Sequence, residues 1–191
     1  MIFGLDISTS VIGAVKFDSC GKFIDSDYCD LRKVDGDLID KAATADDWIK
    51  GMVNDAVAKR ESIGYEHDFF IEDRLSGFGG GKTMQQTLLK LAAFNATVSY
   101  IVYRNFHDAG LGLTIEHIHP STVKAFMKRF GLIVPKGSKE KKRLTLEWVQ
   151  RKEPTFKVEL NRKENPQPWC YDMADAYITA WAGFHMNKPK I

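Results

Sequence analysis

Two short apolar runs open the chain, "MIFGLDIS" and "VIGAVKFD", separated by Ser8, Thr9 and Ser10. Both are rich in β-branched residues, and the polar triplet between them is turn chemistry, so they predict the two strands of a hairpin. "KFIDSDYCDL" predicts a third strand. Over residues 37–60 the period changes. Leu38, Ile39, Ala42, Trp48, Ile49, Met52, Val53 and Ala56 recur at helical spacing. "HDFFIEDR" is a compact apolar strand that ends in acids. After a glycine-rich loop, Thr83 is placed to cap a long helix with an apolar stripe of Met84, Leu88, Leu91, Phe94, Val98 and Ile101. "LTIEHIHP" returns to strand, and "STVKAFMKRF" and "KEKKRLTLEWVQRK" predict two basic helices separated by residues 131–137. Residues 153–168 hold three prolines and predict loop. A last helix over 169–186 turns Met173, Tyr177, Ile178, Trp181 and Phe184 inward.

Three strands, a helix, a strand, a helix, a strand and then helices predict an α/β fold. Its mixed sheet begins as an antiparallel meander and is flanked by helices. A chain of 191 residues fits one domain over 1–191, long enough to bury a core without staples. No apolar run approaches the ~20 residues that span a bilayer, so no membrane partner is expected. The opening residues lack a basic stretch and do not read as a signal peptide. Cys20, Cys29 and Cys170 have no C-x-x-C spacing. Neither a disulfide framework nor a zinc site is indicated, and the cytoplasm is the expected compartment.

Charge changes the picture. The formal net charge is only +2, yet residues 124–163 carry 13 Lys/Arg against 4 Asp/Glu, a local +9 that leaves −7 for the rest. Such asymmetry is the footprint of a face that binds a polyanion, although a charge run alone also reads as a solvated surface. The stretch "GFGGGKT", residues 77–83, invites a phosphate-loop reading. That motif needs a glycine five residues before Gly81, and Ser76 stands there. No nucleotide cofactor is expected.

Acids fall at three places where an apolar element meets a loop or a helix start. Asp6 ends or interrupts the first strand, Glu72 closes "DFFIED", and Asp172 and Asp175 sit in the first turn of the last helix. At three-residue spacing that pair shares a helical face, with Cβ atoms about 5–6 Å apart. Each acid also has a local explanation: a turn for Asp6, a solvent-facing strand end for Glu72 or Asp73, a helix dipole for the aspartates. Together they point elsewhere, because carboxyl ends of central strands converge in an α/β sheet. Like charges sharing a site resist ionisation unless a cation intervenes, and an all-oxygen cluster suits Mg²⁺ or Mn²⁺. Two such ions about 3.5–4 Å apart activate water and stabilise a leaving oxygen in phosphodiester hydrolysis.

These motifs resemble those of RuvC-like Holliday-junction resolvases in the RNase H-like superfamily, the small phage-type members in particular. The matching pieces are "FGLDISTSVIGAVKFD", "FFIEDRLSGFGGGKTMQQTLLKLAAFNA", "HPSTVKAFMKRFG" with "GSKEKKRLTLEWV", and "YDMADAYITAWA". They follow the family's order and cover nearly the whole chain. The first also looks like the opening motif of the RuvC-type domains in RNA-guided nucleases. The resemblance implies an RNase H-like sheet with Asp6, Glu72, Asp172 and Asp175 as catalytic metal ligands, holding two Mg²⁺ or Mn²⁺ ions per site. It implies a homodimer that binds branched DNA and nicks opposing strands of a four-way junction, leaving 5′-phosphates. A C₂ dimer suits that twofold-symmetric substrate. Lys124 and Lys141 match positions near the scissile phosphate, with Lys128, Lys139, Lys142 and Arg143 serving the DNA backbone. Phe78 would wedge against unstacked bases and Lys82 would meet phosphate, unless the glycine loop is simply surface. The implied setting is the cytoplasm of a bacterium or a phage-infected host cell.

His117 and His119 read as structural, Trp48, Trp148 and Trp181 as core. The Met84–Ile101 stripe reads as core, part of it available for a dimer seam. An ATPase or sugar kinase of the actin/Hsp70 type opens with a similar phosphate loop but needs a duplicated domain. A ribonuclease H or RNA-processing nuclease shares the fold, with its second acid usually on a helix. A non-catalytic DNA-binding module would gain nothing from clustered carboxylates.

Overall fold

The computed structural model describes residues 1–58, 66–73, 82–135 and 140–187, with the side chains of 82–84 outside that description. Five strands form one sheet: β1 (Ile2–Ile7), β2 (Val11–Phe17), β3 (Phe23–Asp30), β4 (His67–Glu72) and β5 (Leu113–Ile118). Their order is β3-β2-β1-β4-β5. β1, β2 and β3 run antiparallel to one another, while β4 pairs with β1 and β5 with β4 in parallel. The hairpin turn closes on Ser8, whose Oγ accepts from the Val11 amide at 3.0 Å and donates to the Val11 carbonyl at 2.8 Å.

Five helices cover the sheet: α1 (Leu38–Ala58), α2 (Lys82–Asp108), α3 (Pro120–Met127), α4 (Lys141–Lys152) and α5 (Pro168–Asn187). A 3-10 turn (Lys128–Phe130) extends α3. Asp37 starts α1 by accepting from the Ile39 amide at 2.6 Å, and Asp40 reaches back to the Asp37 amide at 2.9 Å, a reciprocal cap. α2 begins at Lys82, so Thr83 lies inside the helix and not at its cap. His119 does cap α3, its Nδ1 accepting from the Ser121 amide at 3.1 Å.

Strand alternation sorts the core into two layers. Phe3, Leu5, Ile7, Ile12, Phe69 and Ile71 meet the apolar faces of α1 and α2. Ile2, Val15, Phe17 and Phe70 face the other way, onto α5, with α3 and α4 packed outside it. Of the tryptophans read as core, Trp148 and Trp181 are buried with this second layer. Trp48 is only partly buried and donates its indole N–H to Asp27 at 2.9 Å. Residues 153–167 contain no helix; a single bridge, Leu160 to Pro166, closes that loop on itself.

Candidate active site

The four candidate acids come from three elements distant in sequence, and none is more than 9% exposed. Asp6 lies within β1, opposite Gly13 of β2, and is fully buried, so it is not a turn residue. It follows Ile2 and Gly4 on the face that meets α5. Glu72 ends β4 on that same face, two residues beyond Phe70, and its burial removes the solvent-facing explanation. Leu5 pairs with Ile71, which makes Asp6 and Glu72 neighbours across adjacent strands, about 4.8 Å apart in the backbone. Asn95 of α2 donates to the Glu72 carbonyl at 3.2 Å and ties the strand end down.

Asp172 and Asp175 require a correction. α5 starts at Pro168, a residue pre-set for a first helical position, and its first turn holds no acid. Both aspartates lie beyond it, where the dipole's benefit has faded, and both are buried against the sheet. The approach depends on missing side chains. A Cβ at Gly13 would stand 2.5 Å from the Asp172 carbonyl carbon, and one at Gly4 would overlap the Ala176 carbonyl oxygen. The two glycines let the α5 backbone sit directly on β1 and β2, bringing Asp172 over the strand partner of Asp6.

Electrostatics links the remaining members. The Glu72 carboxyl is pushed up to about 7, first by burial and then by the Asp175 carboxylate, against the pull of Lys141, Lys124 and Lys142. Lys124 of α3 is lowered by burial and by Lys141 against it, while Glu72 and Asp175 oppose the shift. Lys142 pairs with Asp172 at 2.7 Å. Three lysines from the basic segment therefore face the carboxylates directly.

Among the described residues, no three of His, Cys, Asp and Glu stand close enough to enclose one ion in this arrangement. The donors nevertheless fit a hard divalent cation: all are carboxylate oxygens, and a cation relieves the burial and mutual repulsion that hold Glu72 high. Lys142 on Asp172 supplies a positive charge at the same place.

The other candidates disperse. Lys128 is exposed on the 3-10 turn. Arg143 is exposed on α4 and bridges Glu140 and Glu147 at 2.9 and 2.7 Å. Phe78 and Lys139 lie outside the described residues, as does the Lys82 side chain. His117 contacts Ser99 Oγ at 3.0 Å, and with His119 capping α3 both histidines are structural.

Sequence reasoning missed a stack at the margin of the site. Arg32 holds Asp30 bidentately, at 2.8 and 2.7 Å, and keeps that carboxyl down at about 2. Its guanidinium lies over Trp169 at 4.9 Å, and Trp169 stacks on Tyr28 at 4.7 Å. Trp169 is the second residue of α5, three before Asp172, so this stack ties the start of the acid-bearing helix to β3. An Asp-x-Arg at a strand end and an aromatic three residues before an acid were the available signals.

Solved structures share the architecture. The Thermus thermophilus RuvC structure superposes with a TM-score of 0.54 and 15% identity, over 97% of this chain and 95% of that one. T. thermophilus RuvC in complex with Holliday junction substrate gives 0.53 and 9%, over the same shares. No family model matches the chain, and no curated protein matches it. At such identities the likeness carries the fold: a RuvC-like mixed sheet, its first three strands antiparallel, between layers of helices.

Proposed function

We propose that the protein is a metal-dependent endonuclease of branched DNA, acting on four-way junctions as a homodimer and leaving 5′-phosphates. One observation carries the reading. Four buried acids from β1, β4 and α5 gather on one face of the sheet, bordered by Lys124, Lys141 and Lys142. Clustered buried carboxylates cost stability unless cations offset them, so the arrangement points to a use beyond structure.

Asp6, Glu72, Asp172 and Asp175 would hold one or two Mg²⁺ or Mn²⁺ ions. When bound, such ions supply an activated water and charge stabilisation at the leaving oxygen. The protein's own groups do the rest. Lys124 and Lys141 draw the scissile phosphate toward the acids, and the buried setting strengthens every charge contact there. Lys142 moves from Asp172 to the DNA backbone, while Lys128, Arg143, Lys139 and Lys82 add affinity without reading sequence. Phe78 follows the second acid closely enough to work at the crossover.

The test is a panel of four-way junction, fork, RNA–DNA hybrid and plain duplex with Mg²⁺. Cutting of the junction is expected to dominate, and preferred cutting of the hybrid replaces the reading with a ribonuclease. Asp175→Asn should lower junction nicking by at least about 100-fold, the scale set by losing one electrostatic group. Junction binding in a gel shift should persist. Undiminished nicking by that variant refutes the ligand assignment.

A further inference from the structure

Beyond the acids, α3 and α4 run on to a second surface of which the nuclease reading uses only Lys128. Phe130, at the end of the 3-10 turn, is 46% exposed, unusual for so large an apolar ring. The ring is packed against its neighbours. It meets Trp181 edge-on at 4.5 Å and Phe126 at 5.2 Å, and the Trp148 indole N–H donates to its carbonyl at 3.1 Å. Two hollows adjoin it. One, of about 460 Å³, is lined by Phe130, Trp148, Arg151, Lys152 and Trp181. The other, of about 490 Å³, is lined by Ser121, Thr122, Phe126 and Arg129.

The charges around this ring are not ion-paired, although the Arg129 guanidinium lies over the Phe126 ring at 5.9 Å. Among the described residues, Lys128, Arg129, Arg151 and Lys152 make no ion pair, whereas Arg143 earlier on α4 makes two. Glu153, next in the chain, accepts instead from the Tyr177 hydroxyl at 2.8 Å. Helix C-termini favour a basic residue in the last turn, which explains some of these charges. It does not explain a packed, half-exposed aromatic among four of them. That combination is a stacking platform with a phosphate-binding rim, which suits a single strand because only unpaired bases offer a face to an aromatic ring.

Distance ties the platform to the site. Nine or ten residues of α4 separate Lys142 from Arg151 and Lys152, a rise of about 15 Å. That is roughly four nucleotide steps at duplex spacing.

We propose that Phe130, rimmed by Arg129, Arg151 and Lys152, is a binding site for single-stranded DNA a few nucleotides from the cleavage centre. The substrate class thus extends to branched molecules with an unpaired arm. The location relative to cleavage rests on the nuclease reading; the single-strand site does not.

Two measurements test it in the Asp175→Asn background, which removes cutting. Fluorescence anisotropy of labelled dT15 reads the platform without any junction. A junction with one arm replaced by a dT strand is compared with the fully duplex junction. Phe130→Ala should weaken dT15 and the single-armed junction about fivefold or more, and leave the duplex junction within about twofold. Phe130→Tyr should restore the loss. Arg151→Ala should lower the salt slope for dT15 by about 0.7, one phosphate on a single strand. Equal affinities for parent and Phe130→Ala on dT15 overturn the proposal, as does a Phe130→Ala that changes only the sedimentation of the protein, which would make this face a contact between copies. A parent that binds dT15 through Phe130 but ignores junctions sinks the nuclease reading and spares this one.

Discussion

The two faces of the sheet are made by the same strands and solve opposite problems. Toward α1 and α2, β1 presents Phe3, Leu5 and Ile7, all buried in apolar contact, with Phe3 stacked on Phe69 at 4.6 Å. Toward α5, the alternate residues are Ile2, Gly4 and Asp6. Here side-chain volume is given up at Gly4 and Gly13 so that a helix backbone can approach, and a carboxylate is buried where another apolar residue would stabilise more. The first face is largely apolar contact; the second keeps its own apolar core, Val15, Phe17 and Phe70 against Tyr177 and Trp181, and places charge beside it. Chemistry built on a sheet therefore need not weaken both of its sides.

The sharpest break in that contrast is Gly13→Val. With the first added carbon already 2.5 Å from the Asp172 backbone, α5 must lift, and we expect more than about 3 kcal/mol of destabilisation together with loss of junction nicking. Urea denaturation and a nicking assay on the folded fraction read the two effects. Leu5→Ala, on the opposite face, should cost a comparable 2–5 kcal/mol in urea, on the order usual for a core leucine, yet leave turnover per folded molecule unchanged. A loss of turnover there would mean that the faces are not separable.

A third prediction concerns pH. Glu72 is raised in the fold to about 7 from a usual value of 4.5, so its neutral form is the one the fold favours. Its contribution to stability is whole below about pH 4.5 and is lost as the pH rises through 7. Glu72→Gln should accordingly raise metal-free stability by about 1–3 kcal/mol at pH 8 and by little at pH 4. Mg²⁺ should raise the melting temperature of the parent more at pH 8 than at pH 5.5, and should not stabilise Glu72→Gln comparably. The smallest effects are expected on α4, where two adjacent cations differ in partner. Lys142→Ala should reduce the salt slope of junction binding by about 0.9 and change stability by less than about 1 kcal/mol. Arg143→Ala should move the slope less, its charge being shared already with Glu140 and Glu147.

Sequence periodicity carried the fold well because its elements are long and strongly patterned. β1 and β2 are apolar but for Asp6 and Lys16, and the helical recurrence of Ile49, Val53 and Ala56 is the buried face of α1. The acids were legible as residues but not as neighbours. That Asp6 and Glu72 lie side by side follows from the parallel pairing of β1 with β4, which no local pattern encodes. The helix start was placed one residue late because Pro168 reads as the end of a loop when it is the start of α5, and Asp175 lies in the second turn counted from either residue. Arg32 and Trp169 escaped notice because their partnership spans most of the chain. The ring at Phe130 looked like one more apolar residue in a basic helix; only its exposure sets it apart.

The parallel alignment of Leu5 with Ile71 has a consequence for how this chain tolerates insertions and deletions. Side chains on a strand alternate strictly, so losing one residue within "HDFFI" forces a choice. Either the greasy residues keep their places and Glu72 is carried into the dry layer behind the sheet, or the acid keeps its post and the phenylalanines trade sides. Length changes in this strand should then survive only in pairs, whereas the exposed tip of the later loop, residues 162–165, carries none of the four acids and no core residue and should accept either parity.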